Sequence, residues 1–179
     1  MKKIVLVRHC HAEGQHKDTP LTNLGVNQAR RLAEYLEKEE LFPKKVITSP
    51  YMRAVETIRP YARKHDVKIE RDPRLQERIL SDEPVDDWMA VVKESFEDPN
   101  YKLPGGESAT DALKRFKTVI DEVNEDDEPV ILVTHGNLLG LYLHEINPDY
   151  NFGDWQVLKN PDVFIVHIDG DHREVNHVW

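Results

Sequence analysis

The chain has one cysteine, Cys10, among its 179 residues. With no partner for an internal bridge, a disulfide-stapled scaffold is excluded. Long apolar runs are also missing. The run behind Met1, Lys2 and Lys3 extends only from Ile4 to Val7, too short for an export signal, and no stretch approaches the roughly 20 apolar residues of a membrane span. The expectation is a cytoplasmic chain without a membrane partner. Positive charge is in deficit, with 24 Lys plus Arg against 33 Asp plus Glu and a net charge of −9. That balance argues against binding nucleic acid or an anionic membrane, since either needs a basic face. No Gly-x-x-x-x-Gly-Lys-Ser/Thr loop occurs, so nucleotide hydrolysis by that route has no support. What remains, 39% hydrophobic and 32% charged residues, is ordinary for a globular chain. The length suits a single domain, 1–179, able to bury its own core.

Short apolar runs alternate with segments of helical period. Ile4 to Val7, Lys45 to Thr48, Val67 to Glu70 and Val130 to Val133 read as strands. Between them, Thr22 is placed to cap a helix whose apolar face is Val26, Ala29, Ala33 and Leu36. Met52, Val55, Ile58 and Ala62 suit a second helix, which Pro60 is expected to kink or end near Arg59. Pro84 reads as the first residue of a helix burying Val85, Trp88, Met89, Val92 and Phe96. Glu107 to Val123 is the clearest helix, with Ala112, Leu113, Phe116, Val119, Ile120 and Val123 on one side. The acidic run Asp121 to Glu128 reads as its end plus a solvated loop. Leu138 to Glu145 is a further helix. Asp169-Gly170 between Val163–Ile168 and Arg173–Val178 signals an antiparallel hairpin. No internal repeat, low-complexity tract or linker is evident. The expected fold is α/β: a three-layer α/β/α sandwich with a mostly parallel sheet and a C-terminal antiparallel hairpin.

Two strands end alike. Val5-Leu6-Val7-Arg8-His9 and Ile131-Leu132-Val133-Thr134-His135 each deliver a histidine at the carboxyl end, the edge where open α/β sheets bind ligands. A third strand ends in Thr48-Ser49-Pro50, with Arg53 in the first turn of the next helix. One strand-end histidine alone is ordinarily structural. Two of them with Arg8 and Arg53, if the strand ends are neighbours, form a cationic cluster suited to a phosphate dianion.

At this point the sequence resembles the histidine phosphatase, or phosphoglycerate mutase-like, superfamily. The blocks are Arg8-His9-Cys10, Leu21-Thr22-x-x-Gly25-x-x-Gln28-Ala29, Ser49-Pro50-x-x-Arg53-Ala54-x-Glu56-Thr57, Leu75-Gln76-Glu77, Pro104-Gly105-Gly106-Glu107-Ser108 and Val133-Thr134-His135-Gly136-Asn137. They occur in the family's order from residue 4 to about 140. The resemblance implies an α/β/α sandwich and a phosphohistidine intermediate, with no metal ion or other cofactor. It casts His9 as nucleophile, Arg8, Arg53 and His135 as holders of phosphate oxygens, and Glu77 as the acid that protonates the leaving alkoxide and then activates water. Backbone N–H groups at Gly136 and Asn137 are expected to supplement the anion cradle, and Gln15 to contact phosphate.

Cys10 stands where relatives usually have glycine, and is expected to be packed away rather than reactive. His11 occupies a position that is commonly polar or acidic; it either approaches the substrate or faces solvent. The cysteine-phosphatase pattern His-Cys-x₅-Arg fails, because the required arginine position holds His16. His9, His11, His16 and Glu13 match no zinc spacing. The expected activity is hydrolysis of a small phosphomonoester, with residues 78–103 as a substrate wall. A phosphoglycerate mutase-type transferase is the alternative, since a mutase needs longer covering segments to keep water out. A catalytically weak phospho-ligand binding module is the alternative of another class. Substrate identity and oligomeric state are not readable.

Overall fold

The structure is a computed structural model that describes residues 2–40, 42–125 and 128–179. Six strands form one sheet: β1 (Lys2–Arg8), β2 (Lys45–Thr48), β3 (Ile69–Arg71), β4 (Val130–Thr134), β5 (Asp162–Asp169) and β6 (His172–His177). Their order is β3-β2-β4-β1-β5-β6. The first four are parallel; β5 runs antiparallel to β1 and β6 antiparallel to β5. The hairpin expected at Asp169-Gly170 is therefore present, and Gly170 takes the positive φ of 60° that the turn needs.

Alternating side chains of the central strands feed two cores. Ile4, Leu6, Val130, Leu132, Phe164 and Val166 face one side, packing on Phe116, Val119, Leu139 and Tyr142. Val5, Val7, Ile131, Val133, Val163 and Ile165 face the other, packing on Leu32, Leu36, Ile58 and Tyr61. This period-2 split of continuous apolar runs is what burial on both faces requires. Each fully buried Ile or Leu contributes ~1.5–3 kcal/mol by leaving water. The helices are α1 (Asn23–Lys38) and α2 (Met52–Lys64) on one face, and α4 (Ala109–Val123) and α5 (Gly136–Ile146) on the other. α3 (Trp88–Glu97) and a short α6 (Phe152–Gln156) lie beside α5.

Several boundaries differ from expectation. Pro60 does not end α2 near Arg59; the helix continues to Lys64. Ile58, Tyr61 and Ala62, buried on both sides of Pro60, outweigh the ~3 kcal/mol that an interior proline costs. α3 starts at Trp88 rather than Pro84, because the Asp87 carboxylate caps the Ala90 N–H. Val92 and Phe96 are buried as expected, whereas Trp88 and Met89 are exposed, at 47% and 36%. α4 opens with a reciprocal capping box between Ser108 and Asp111. Thr22 caps α1 by accepting the Gly25 N–H. β3 lies one to two residues later than read. Of the acidic run, Asp126 and Asp127 fall outside the described residues. Among the described residues no helix is long and apolar enough to cross a membrane.

Candidate active site

Register explains why the two histidines meet. β1 and β4 pair in parallel with Arg8 opposite Thr134, so the next residue of each strand, His9 and His135, leaves the sheet at the same edge. The His9 N–H donates to the Thr134 carbonyl at 3.1 Å, and β2, on the far side of β4, delivers Ser49 with its N–H on the Val133 carbonyl at 2.9 Å. The two imidazole rings lie 5.1 Å apart, edge to face.

His9 is buried. Its Nδ1 lies 2.7 Å from the Cys10 carbonyl. A carbonyl can only accept, so Nδ1 carries the proton and Nε2 presents a lone pair. Arg53 Nε donates to that Nε2 at 3.3 Å. Burial, aided by Arg53 and Arg8, lowers the His9 pKa to about 3 against the opposing pull of the Cys10 hydrogen bond. The ring is neutral across the physiological range. The Asn160 amide donates to the His9 carbonyl at 3.0 Å, fixing the main chain behind the ring.

His135 is fully buried, immediately precedes α5 without a side-chain capping bond, and has Nε2 2.8 Å from Ser49 Oγ. Its Nδ1 is buried with no hydrogen-bond partner. Burial first, then the His9, Arg53, Arg115 and Arg8 charges, hold its pKa well below the usual range.

Arg53, one residue into α2, is almost wholly buried. Its Nη1 donates to the Gln15 and His16 carbonyls at 3.0 and 3.2 Å, and its guanidinium lies 5.0 Å from the Tyr51 ring centre. Arg8 donates through Nη1 to the Leu158 carbonyl at 2.9 Å, while its buried Nε has no partner. Burial works against both guanidinium charges, and Glu77 supports both. Gly136 packs directly on Arg8: a Cβ there would sit 2.8 Å from the guanidinium carbon.

Glu77 is placed at the start of α5 in a way the sequence did not foretell. Its Oε1 accepts the Leu138 N–H at 2.8 Å and the Arg78 N–H at 2.9 Å; its Oε2 accepts the Asn137 N–H at 2.9 Å. The Asn137 amide, expected in the anion cradle, is thus occupied by Glu77. Gln15 lies on the cavity wall through which Arg8, Arg53 and Glu77 open to solvent, a space of about 720 Å³. His11 is exposed, with Nδ1 2.8 Å from Thr22 Oγ1. Cys10 is fully buried against Leu21 and Ala29. Its N–H donates to Thr57 Oγ1 at 2.8 Å, and burial pushes its thiol up to about 12.

Two contributors carried no assigned role in the sequence. Ser49 sat inside a motif but gained its part only from the pairing of β2 with β4. Arg115, in mid-α4, had no local signal. It donates to the Arg74, Gln76 and Glu77 carbonyls at 2.7, 2.8 and 3.2 Å and pairs with Glu107 at 2.9 Å. It is a positioning residue for the loop that carries Glu77. Among the described residues no group of three or more His, Cys, Asp or Glu side chains is placed to hold a metal ion.

The sheet edge gathers two facing imidazoles, the buried Arg53, the half-buried Arg8 and the Glu77 carboxylate. The family model for the Histidine phosphatase superfamily (branch 1) matches residues 4–179, and the chain belongs to that family. It is 27% identical over 168 residues to glucosyl-3-phosphoglycerate phosphatase of Mycobacterium tuberculosis, covering 77% of this chain and 72% of that protein. It is 28% identical over 164 residues to the "Probable phosphoglycerate mutase GpmB" of Yersinia pestis, covering 80% and 74%. Among solved structures, mycobacterial glucosyl-3-phosphoglycerate phosphatase with inorganic phosphate superposes with a TM-score of 0.77 at 24% identity, over 100% of this chain and 97% of that one. A phosphoserine phosphatase mutant from Entamoeba histolytica with phosphoserine gives 0.78 at 16%, over 98% and 95%.

Proposed function

We propose that this chain hydrolyses small phosphomonoesters through a phosphohistidine on His9. The observation that carries the reading is the Nδ1–H to Cys10 carbonyl bond at 2.7 Å, which leaves a neutral, oriented Nε2 beside Arg53. On substrate binding the phosphate oxygens take over the Arg53 Nε donor and draw on the unpartnered Arg8 Nε and His135 Nδ1. These charges and donors are in place before reaction, so they stabilise the transferring group with little reorganisation. The His9 Nε2–P bond forms as the P–O ester bond breaks.

The ester binds as its monoanion and passes its proton to the Glu77 carboxylate. Oε1 already accepts two N–H groups and Oε2 one, leaving one Oε2 lone pair for that proton. The leaving alkoxide takes it. The resulting carboxylate then removes a proton from water, which attacks phosphorus, and the N–P bond breaks to release inorganic phosphate and neutral His9. Assistance of this kind is worth ~10²–10⁴-fold. Gln15 lines the entrance and contacts the bound ester. Gly136 and Asn137 act through Arg8 packing and the Glu77 contact respectively.

The scheme needs no metal or other cofactor. Residues 1–179 work as one domain with 78–103 as the substrate wall, and Ile79, Leu80 and Trp88 on the cavity surface support that wall. The setting is cytoplasmic, in keeping with a lone buried thiol, and the net charge of −9 argues against a nucleic-acid partner. The test is single-turnover trapping with a phosphate-labelled ester. Wild type yields acid-labile label on His9 and His9→Ala yields none; label on another residue would sink the scheme.

A further inference from the structure

Beyond the phosphate floor, the cavity changes character. Trp88 is the first residue of α3 and lies four before the buried Val92, so both sit on the core-facing side of the helix. A tryptophan at such a position is ordinarily covered. Here it is 47% exposed and lines the same 720 Å³ space as Arg8 and Arg53. Behind it stands Trp155, 9% exposed, whose ring meets Trp88 edge-on at 6.3 Å and stacks on Phe152 at 5.5 Å. Trp155 is wedged against Gly140, where a Cβ would lie 2.5 Å from Cδ1. The result is a rigid aromatic backstop carrying one open indole, with Leu80 and Val85 on the same wall.

Both signs of charge line this outer region, Glu83 and Arg78. The Arg78 side chain is largely buried: Nε donates to the Glu107 carbonyl at 2.9 Å and Nη1 to Ser95 Oγ at 2.5 Å, while its buried Nη2 has no hydrogen-bond partner. No lysine is among the lining residues, and Ile79, Leu80, Val85 and Trp88 supply the hydrocarbon of that wall.

We propose that this wall is a leaving-group subsite in which Trp88 stacks on the flat, uncharged aromatic or heteroaromatic ring of the ester's alcohol. The assignment rests on the hydrolase reading above and narrows its substrate class. A cavity of this size takes a phosphate plus one ring system. The open indole supplies the stacking face, and the Trp155–Phe152 stack keeps it from collapsing inward.

The test uses non-hydrolysable ligands so that binding is read apart from turnover. Isothermal titration compares benzylphosphonate with ethylphosphonate on wild type, Trp88→Ala and Trp88→Phe. Wild type is expected to prefer benzylphosphonate by at least about tenfold, Trp88→Ala to lose most of that preference, and Trp88→Phe to keep it, as an aromatic face demands. In parallel, the ratio of kcat/KM for benzyl phosphate over ethyl phosphate should fall about tenfold in Trp88→Ala, chiefly through KM. Equal affinity for the two phosphonates, or a preference unchanged in Trp88→Ala, overturns the subsite. Absence of turnover of both benzyl and ethyl phosphate by wild type with the phosphonate preference intact removes the hydrolase reading and leaves the ring-binding wall standing.

Discussion

Arg8 rests on Gly136 so closely that a Cβ on the glycine would come within 2.8 Å of the guanidinium carbon and Nε. The strand end that supplies the cation and the helix start that follows His135 share one space, and only the missing side chain lets them do so.

Gly136→Ala is therefore expected to push the guanidinium aside and raise KM for any phosphomonoester about tenfold, or ~1.4 kcal/mol. Helix propensity alone acts in the other direction, because alanine is favoured over glycine by ~1 kcal/mol in a helix. Inorganic phosphate inhibition constants for Gly136→Ala and Arg8→Lys, measured beside thermal melts, separate the effects. Unaltered phosphate binding in a folded Gly136→Ala protein would show that this packing does not set the Arg8 position.

Glu77→Gln cannot bring a proton to an alkoxide. For ethyl phosphate, a poor leaving group, the loss should reach ~10²–10⁴-fold. For 4-nitrophenyl phosphate the leaving group needs little protonation, so phosphorylation of His9 stays fast while its hydrolysis slows. Stopped-flow traces are expected to show a burst near one equivalent followed by a slow phase. Equal loss on both esters in the burst phase removes the acid role.

The histidines make stability pH-dependent. In the folded protein His9 has its pKa lowered to about 3 by burial, against 6.5 in the unfolded chain. Below pH 6.5 the unfolded chain binds a proton that the folded one refuses, so the stabilisation is present above 6.5 and is lost as pH falls toward 3. The slope is ~1.4 kcal/mol per unit. His135 acts in the same direction. Urea melts from pH 7.5 to 4.5 should show midpoints falling with pH, and His9→Gln should flatten the fall. A His9→Gln profile as steep as wild type would contradict the assignment.

Cys10 is expected to be chemically silent. With the thiol buried and its pKa pushed up to about 12, iodoacetamide should label it only after denaturation. Cys10→Ser should keep activity within about threefold, because the backbone N–H contact to Thr57 is retained and a serine hydroxyl can also reach Thr57 from the sulfur's place. Complete loss of turnover in a folded Cys10→Ser protein would restore a thiol mechanism.

Much of the cluster at this sheet edge could be read in advance because its signals are local. Val5–Arg8–His9 and Val133–His135 are buried runs that stop at a histidine, and Arg53 follows Ser49-Pro50 at a helix start. What eluded reading depends on distant partners. The contact of Glu77 with the Asn137 N–H spans 60 residues, and Arg115 reaches three carbonyls from another helix. Pro60 misled because local cost was set against core burial that the sequence does not display. Trp88 follows helical period and yet stays exposed, since what lies over it is a cavity; Met89 is exposed too but does not line that cavity. The short α6 escaped notice as its five residues carry no periodicity of their own.

Hydrogen bonding between β1 and β4 fixes the imidazoles 5.1 Å apart, close to the ~4.8 Å pitch of neighbouring strands. The grip on the reacting group is thus inherited from the lattice of the sheet and has almost no freedom to drift. Variation in what is accepted must come from the loop and helix laid over it. Under the proposed scheme, a lineage of such proteins trades one metabolite for another by rewriting the wall at residues 78–103 while the residues beneath stay untouched.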